Sequence, residues 1–133
     1  MNLTALDIMN GDVISFQPDT SVREALKEIA NKNFSGAPVV NDDDELIGVV
    51  TEKDLLATIS FAPNNQDQYD QKIPYIQDVV AINADMSIED LRGFFVELGF
   101  KRFPVVDENR NVIGIVSRSD LVRLMYEQIE QAA

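Results

Sequence analysis

The stretches "GVVTEKDLLATI" at residues 48–59 and "GIVSRSDLVRLM" at residues 114–125 repeat one pattern within a single chain. In each, a glycine within an apolar run is followed by Thr51 or Ser117, and Asp54 or Asp120 stands three residues later. The apolar run predicts a strand, and the apolar spacing after the hydroxyl residue predicts a helix that begins there. The chain therefore uses one strand-to-helix element twice.

The duplication extends well beyond these stretches. A shift of 66 residues aligns residues 12–59 with residues 78–125 without a gap, and 13 of the 48 aligned pairs are identical. The triplet "PVV" at 38–40, for example, recurs at 104–106. Because self-similarity at a fixed period indicates repeated architecture, the chain is predicted to contain two copies of one structural unit.

Each copy begins with a short β-branched segment and an amphipathic helix. "DVISF" at 12–16 and "DVVAI" at 78–82 are predicted strands, and Ser21 and Ser87 are predicted N-caps of the helices that follow. Asn33 and Gly99 are turn-prone residues near the predicted helix ends. Helical spacing assigns an apolar face to each helix, consisting of Val22, Ala25, Ile29 and Ala30 in the first copy and Ile88, Leu91, Phe95 and Val96 in the second.

A β-hairpin and a second helix complete each copy. The strands "APVV" and "LIGVV", and "FPVV" and "VIGIV", are separated by the five-residue turns "NDDDE" and "DENRN". A solvated turn is favoured over a calcium site, because the acidic run lacks the alternation, the central glycine and the distal glutamate of an EF-hand. The last helix is predicted to turn Leu55, Leu56 and Ile59, or Leu121, Val122 and Met125, inward.

The predicted architecture is α+β with an α/β-like character, formed by two β-α-β-β-α repeats related by a pseudo-twofold axis, with small sheets covered by helices. The first repeat is assigned to residues 1–59 and the second to residues 76–133. The connection, residues 60–75, is polar and long for a compact domain. Its composition fits both a surface loop that wraps one half and a mobile linker.

Composition excludes several classes of function. The 133 residues include no cysteine and no histidine, which removes thiolate nucleophiles, imidazole acid–base chemistry and the usual zinc sites. The formal net charge of −12 disfavours nucleic acid and anionic membranes as partners. The sequence shows neither an apolar run of membrane-spanning length nor a signal peptide, so we expect a cytoplasmic protein. Because it also lacks a Walker-type glycine loop, we expect neither an enzyme nor a metal site.

The Thr-x-x-Asp and Ser-x-x-Asp pairs admit two interpretations. As a capping box, the two side chains would satisfy the free N–H groups of a helix start. Aspartate is short for the reciprocal bond of such a box, which glutamate or glutamine makes more readily. As a ligand site, the carboxylate would accept hydrogen bonds from hydroxyl groups of a ligand, and the N–H groups of the first helical turn would receive an anion.

The order "DIM", "DVISF", "GAPVV" and "LIGVVTEKDLL", followed by its second copy, resembles a tandem pair of cystathionine β-synthase (CBS) domains, also called a Bateman module. The resemblance covers the chain except the connection and the last few residues, and no other domain is visible in the sequence, so a stand-alone module is expected. It implies a regulatory module that senses adenosine-containing ligands. In such a module the aspartate carboxylate would accept hydrogen bonds from two adjacent ribose hydroxyls, and the first helical turn would receive a phosphate. AMP, ADP and ATP are the expected ligands, S-adenosylmethionine is a further candidate, and no catalytic cofactor is expected.

The resemblance also implies two ligand clefts between the repeats. Residues assigned to the first are Thr51, Lys53, Asp54, Val80, Ala81, Lys101, Arg102, Phe103 and Pro104. Residues assigned to the second are Ser117, Arg118, Asp120, Ile14, Ser15, Ser35, Gly36, Ala37 and Pro38. Adenine is expected near Ala37 or Phe103, where the ring of Phe103 either narrows the cleft or stacks on the base.

The two predicted clefts differ in charge. Lys53, Lys101 and Arg102 would collect around the first, whereas the second has chiefly Arg118. We therefore expect a di- or triphosphate to prefer the first cleft, and the second to take a less charged adenosine compound or to stay empty. The segment before the second repeat, "PYIQ", also differs from "DIM" before the first and could reshape the first cleft.

The family often forms flat dimers, so a homodimer and an unidentified effector protein are the expected partners besides the small-molecule ligand. The residues Leu55, Leu56, Ile59, Val122, Met125 and Tyr126 are candidates for the dimer face, with burial inside one chain as the competing interpretation. The alternative function is a CBS scaffold that binds no nucleotide and mediates dimerisation or partner binding. In that case Asp54 and Asp120 would act only as caps.

Overall fold

The computed structural model describes residues 2–32, 34, 36–61 and 66–132. Asn33, Ser35 and the part of the predicted connection at 62–65 lie outside the described residues. The described chain forms two packed units. The central unit comprises residues 14–79, and the split unit joins residues 2–13 to residues 80–132.

Five helices, five strands and one 3-10 helix make up the described secondary structure. In chain order they are α1 (Ala5–Ile8), α2 (Val22–Lys32), β1 (Gly36–Val40), β2 (Leu46–Thr51), α3 (Glu52–Thr58), the 3-10 helix (Gln66–Asp70), β3 (Ile82–Asn83), α4 (Ile88–Leu98), β4 (Arg102–Val106), β5 (Val112–Ser117) and α5 (Arg118–Ala132). The predicted mixed fold with two repeated halves is confirmed. The sequence patterns did not indicate α1 or the 3-10 helix.

The sheet of the central unit is an antiparallel pair, β1 with β2. The predicted strand at 12–16 is reduced to one residue, because only Phe16 joins the sheet, as a parallel bridge to Val39. The Phe16 N–H donates to the carbonyl of Pro38 at 2.9 Å, and the Val40 N–H donates to the carbonyl of Phe16 at 2.8 Å. Two hydrogen bonds are enough to dock this segment but do not extend it into a strand.

The sheet of the split unit has the same plan. Strand β3 pairs in parallel with β4, and β4 pairs antiparallel with β5. The predicted strand at 78–82 is correspondingly shorter and shifted, since only Ile82 and Asn83 enter the ladder. A register irregularity falls at Val39/Val40 in one hairpin and at Val105/Val106 in the other, which are equivalent positions.

The five-residue turns are confirmed in both hairpins. The side-chain oxygen Oδ1 of Asn41 accepts from the N–H groups of Asp43 and Glu45 at 2.9 and 3.0 Å. In the second copy, Oδ1 of Asp107 accepts from Asn109 and Asn111, both at 2.9 Å. The first residue of each turn thus organises the backbone, as Asn and Asp commonly do.

The apolar faces of the helices are narrower than predicted. Val22, Ala25, Ile29, Leu91, Phe95, Leu55 and Leu121 are buried as expected. Ala30 and its equivalent Val96 are exposed, because each lies about 80° from the first face residue at 100° per residue. The prediction was also wrong for Leu56, Val122 and Met125, which are exposed, whereas Leu124 is buried.

The predicted caps are present. The Ser21 Oγ accepts from the N–H of Glu24, and the Ser87 Oγ accepts from the N–H of Asp90, both at 3.1 Å. Helix α4 ends at Gly99, whose φ of 69° lies in the left-handed region that favours glycine. Each N-cap fixes where its helix starts and therefore which side chains face the core.

A crossing segment lies on the hairpin of each unit. In the central unit, Ile76 forms an antiparallel bridge with Val49 of β2, and in the split unit Asn10 forms one with Ile115 of β5. Since position 10 plus the 66-residue shift is position 76, these are equivalent contacts. The segment that leads into each repeat in the sequence therefore packs on the hairpin that belongs to the other copy.

The crossing segment of the central unit, residues 71–76, includes the end of the connection. Ile73 belongs to the core of that unit, and its N–H donates to the carbonyl of Thr20 at 2.9 Å. The Val22 N–H donates to the carbonyl of Gln71 at 2.8 Å. The side-chain amide of Gln68 accepts from the N–H of Ser60 at 2.8 Å and donates to its carbonyl at 2.6 Å. Of the two interpretations, the wrapping loop is therefore correct for residues 66–75.

Candidate ligand-binding site

The first signature lies at the junction of β2 and α3. Thr51 is the N-cap of α3, and its Oγ1 accepts from the N–H of Asp54 at 3.2 Å. The carboxylate of Asp54 bends back, so that its Oδ2 accepts from the N–H and the hydroxyl of Thr51 at 2.9 and 2.8 Å. Two hydrogen bonds therefore hold this carboxylate against the helix start, and the bond to the Asp54 N–H completes the box.

The second signature repeats the geometry at the junction of β5 and α5. The Oδ2 of Asp120 accepts from the N–H and the hydroxyl of Ser117 at 2.7 and 3.0 Å. The Oγ of Ser117 accepts from the N–H of Asp120 at 3.3 Å. The shared spacing between hydroxyl and carboxylate thus produces the same local structure in both copies.

The capping interpretation is correct in both copies, and the expectation that aspartate is too short for the reciprocal bond was wrong. The shorter side chain reaches because Thr51 and Ser117 are in extended conformation at the last residue of their strands, which brings their N–H groups toward the helix. Every bond that the two carboxylates accept from the cap residues uses Oδ2. The cap therefore leaves the second carboxylate oxygen, Oδ1, unused in both copies.

The two Oδ1 atoms differ in their surroundings. The Nη1 of Arg123, one turn along α5, lies 3.3 Å from Oδ1 of Asp120. The equivalent position on α3 is Ala57, and no residue in the described ranges donates a hydrogen bond to Oδ1 of Asp54. The first signature thus presents an open carboxylate oxygen, whereas the second presents one that is already paired.

In the central unit, the other predicted residues lie on neighbouring strands. Gly36 is directly opposite Thr51 in the β1–β2 register, and Ala37 is opposite Val50. Ile14 and Ser15 precede Phe16, which is hydrogen-bonded to Pro38. Lys53, in the first turn of α3, is exposed. Ala37 and Pro38 are buried.

In the split unit, the basic pair lies beside the second signature. Arg102 is opposite Ser117 in the β4–β5 register, and the carbonyl of Lys101 accepts from the N–H of Arg118 at 3.0 Å. Lys101, Arg102 and Arg118 are all exposed. Val80 and Ala81 lead into β3 and are half-buried, and Pro104 is buried in β4. The assignment of Lys101 and Arg102 to the ligand of Asp54 stays a prediction.

Phe103 belongs to the core of the split unit. Its side chain is 1% exposed and packs against Phe94, Phe95 and Phe100, with ring centroids 4.7 to 6.3 Å apart. Of the two roles left open for this ring, stacking on adenine would require it to leave that cluster.

Two features of the signatures escaped the sequence reasoning. Arg123 was not singled out, although an arginine three residues after an aspartate on a predicted helix is a known pairing pattern. The glycines of the signatures, Gly48 and Gly114, were noted only as part of the motif. A Cβ on Gly48 would lie 2.8 Å from the carbonyl oxygen of Ile76, and one on Gly114 would lie 3.1 Å from that of Asn10.

A pocket of about 650 Å³ lies in the split unit at the other end of the sheet from the signature, next to the hairpin turn. Asp85, Asp107 and Glu108 are among the residues that line it. Within the described ranges, no group of three or more His, Cys, Asp or Glu side chains is arranged to hold a metal ion. Likewise, no helix in the described part of the chain is both long enough and apolar enough to cross a membrane.

Comparison with known proteins identifies one family. The model of the CBS domain matches residues 5–60 and again residues 73–127. The uncharacterized protein MJ1225 of Methanocaldococcus jannaschii is 30% identical over 125 residues, a match that covers 94% of this chain and 44% of that protein. This chain spans 40 to 60% of the length of the first curated relatives that it matches.

Solved structures of similar size share the fold. The CBS-pair protein CBSX2 from Arabidopsis thaliana superposes with a TM-score of 0.84 at 30% identity, and the match covers 100% of both chains. CBSX2 has also been solved in complex with AMP. That structure matches with a TM-score of 0.80 at 31% identity and covers 96% of this chain and 98% of CBSX2.

Proposed function

This chain belongs to the CBS domain family, and on that premise we propose that it is a regulatory module that binds an adenosine-containing ligand at its Thr-x-x-Asp and Ser-x-x-Asp signatures. The ligand would be AMP, ADP or ATP, with S-adenosylmethionine as a further candidate. In this proposal the chain itself catalyses no reaction, and its output is a ligand-dependent change of shape or of affinity for an effector protein. We place it in the cytoplasm.

The arrangement of Asp54 and Asp120 is the observation that carries the proposal. Each carboxylate is held by its own helix cap through Oδ2, so its position does not depend on a ligand. A carboxylate oxygen that is fixed in place and not used by the cap is a suitable acceptor for ribose hydroxyls. The likeness to CBSX2, which binds AMP, supports adenosine as the ligand class.

A titration with AMP tests the proposal. We expect AMP to raise the melting temperature, with about 2.7 kcal/mol of added stability at 100 times the dissociation constant. Asp54→Asn and Asp120→Asn should each fold, because the amide oxygen of asparagine can accept the same two bonds from Thr51 or Ser117. Each should lose about 10- to 150-fold in AMP affinity at its own site, corresponding to about 1.5–3 kcal/mol for a hydrogen bond to a charged group.

The matched control is Asp90→Asn, on α4, which removes the same charge from a residue whose N–H, not its carboxylate, takes part in a cap. It should bind AMP like the unmodified protein. A chain that shows no stabilisation by AMP, ADP, ATP or S-adenosylmethionine, and no response of the Thr51 and Ser117 amide signals in NMR spectra, would contradict the proposal.

The proposal also includes a preference of the Asp54 site for ligands with two or three phosphates. Lys53, Lys101 and Arg102 are the basic residues that the resemblance assigns to the ligand of Asp54, and all three are exposed. Lys101→Glu with Arg102→Glu should therefore weaken ATP more than AMP at that site. Equal ATP affinity before and after the charge reversal would show that Lys101 and Arg102 do not contact the phosphates.

The alternative function is a scaffold that binds partners or a second copy of the chain without a nucleotide. The exposed apolar residues Val122, Met125, Tyr126 and Ile129 of α5 favour it, because they follow helical spacing along one face. The two functions are compatible, since this face and the signature Asp120 occupy different parts of α5. The titration above separates them, because a pure scaffold would ignore adenosine ligands.

A further inference from the structure

We propose that Arg123 is an internal competitor for the ligand-binding carboxylate of Asp120, so that the two signatures bind adenosine ligands with unequal affinity and the Asp54 signature binds more tightly. The inference rests on the proposed function. It concerns a residue outside the Thr-x-x-Asp pattern, and it follows from one difference between two otherwise equivalent structures.

The equivalence of the two signatures makes the comparison direct. The distances from Oδ2 to the cap N–H and hydroxyl differ by only 0.2 Å between the copies. Both aspartates are half-buried beside the end of a strand. Because the cap is the same, the two carboxylates themselves differ in what surrounds Oδ1.

Arg123 occupies the oxygen that the cap leaves. Its Nη1 lies 3.3 Å from Oδ1 of Asp120, and the pair is formed between residues three apart on α5. The side chain of Asp120 is 17% exposed, whereas that of Arg123 is 65% exposed. The guanidinium therefore covers the carboxylate from the solvent side and can swing away without disturbing the core.

A ribose that approaches Asp120 has to displace this guanidinium. Because the Asp120 side chain is only 17% exposed, we expect the pair to contribute in the upper part of the usual range for surface ion pairs, about 0.4–1 kcal/mol, so its displacement should cost about two- to fivefold in affinity. At Asp54, no such cost arises, because Ala57 stands where α5 has Arg123. Ionic strength should modulate the difference, since screening weakens an exposed pair.

Site-resolved NMR can measure the effect without disabling either site. The amide protons of Thr51 and Ser117 are hydrogen-bonded to the two carboxylates and report each signature separately. The experiment is a titration of the isotope-labelled full chain with AMP. In the unmodified protein we expect a dissociation constant about two- to fivefold higher from Ser117 than from Thr51.

Two opposite substitutions then test the cause. Arg123→Ala should lower the dissociation constant reported by Ser117 by about two- to fivefold and leave the value from Thr51 unchanged. Ala57→Arg places an arginine at the equivalent position of α3 and should raise the dissociation constant reported by Thr51 by a similar factor. The first effect should shrink in 1 M salt, where the Debye length is about 3 Å.

Arg92→Ala is the matched control for the loss of one surface arginine. Arg92 also pairs with a carboxylate three residues away, Glu89, but it lies on α4 and not beside a signature. It changes the net charge by the same amount as Arg123→Ala and should leave both dissociation constants unchanged.

Two outcomes overturn the inference, and they are distinguishable. If AMP shifts both amides but Arg123→Ala leaves the Ser117 value unchanged or raises it, Arg123 is not a competitor and the proposed function stands. If neither amide responds to AMP in the unmodified chain or in Arg123→Ala, the proposed function fails and the inference fails with it.

Discussion

In the proposed function, Asp54 and Asp120 would each combine two roles that are usually treated as alternatives, a helix cap and a ligand contact. The carboxylate closes a capping box through Oδ2, which satisfies N–H groups that would otherwise be free at a helix start. The same bonds hold Oδ1 at a fixed place beside the end of a strand. A residue pattern that predicts a cap is therefore not an argument against a ligand site at the same residue.

Gly48 and Gly114 are required by close approach and not by backbone conformation. In the central unit, a Cβ on Gly48 would meet the ring of Tyr75 and the carbonyl of Ile76, and in the split unit one on Gly114 would meet the side chain of Met9. A methionine side chain can move aside, but a backbone carbonyl held in a bridge cannot do so cheaply. The first glycine is thus the more constrained of the two.

We expect Gly48→Ala to lower the free energy of unfolding by about 1–3 kcal/mol, because the added methyl group has to displace the crossing segment. Gly114→Ala should cost less, because the atoms it meets first belong to Met9. Urea denaturation followed by circular dichroism measures both.

Gly93→Ala provides the control. Gly93 lies inside α4, and a methyl carbon added at that position would have no atom of the described residues within 4 Å beyond its own helix backbone and chain neighbours. The substitution should stabilise the protein by about 0.5–1 kcal/mol, because alanine is the better helix former. Equal stability losses at Gly48 and Gly93 would show that the crossing segment is not the cause.

At the scale of elements, the crossing segments decide how each unit is completed. Residues 71–76 supply Ile73 to the core of the central unit, and α1 supplies Ala5 to the core of the split unit. Each segment precedes one of the two aligned copies, residues 12–59 and 78–125, and packs on the other copy. The hairpin and helices of one repeat therefore do not close their core alone.

We expect Ile73→Ala to destabilise the protein by about 2–5 kcal/mol, the usual cost of truncating a buried isoleucine. Ile73 is 4% exposed, whereas Ile76, in the same segment, is 52% exposed. Ile76→Ala should therefore change stability by about 0.5 kcal/mol or less, since its bridge to Val49 uses the backbone. Thermal and urea denaturation of the two variants provide the comparison. Equal losses would mean that the segment contributes through its backbone and not through the core.

At the scale of the whole molecule, the predicted homodimer depends on surfaces that one chain leaves uncovered. Of the six residues predicted for the dimer face, Leu55 is buried and Ile59 is half-buried, whereas Leu56, Val122, Met125 and Tyr126 are exposed. Together with Ile129, the last three form the apolar face of α5. A dimer has to cover enough surface to offset the repulsion between two chains of net charge −12.

If α5 forms the dimer face, Val122→Asp with Met125→Asp should convert the dimer to a monomer, because each copy would bury two unpaired charges in the interface. Sedimentation at tens of micromolar protein measures the mass. Val96→Asp is the control, since Val96 is 72% exposed on α4 and lies outside the predicted face. A monomeric unmodified protein would remove the dimer prediction. If the double variant stays dimeric, the dimer interface does not include this face of α5.

Local pattern predicted the elements well where neighbouring residues decide them. The caps at Ser21 and Ser87, the helix end near Gly99 and both five-residue turns depend on residues that lie within four positions of the backbone groups they affect. The strands before the helices were overpredicted, because their length depends on partners that are distant in the sequence. Phe16 has only Val39 as a bridge partner among the described residues.

The sequence by itself determined the duplication, the repeated unit, the family and the pairing of a hydroxyl with an aspartate at each strand-to-helix junction. These depend on local spacing and on the comparison of one half of the chain with the other. The tertiary structure decided which segment completes each core, why Gly48 admits no side chain and which carboxylate oxygen is left for a ligand. It also decided that Arg123 lies against Asp120, because these features depend on contacts in space that no periodicity encodes.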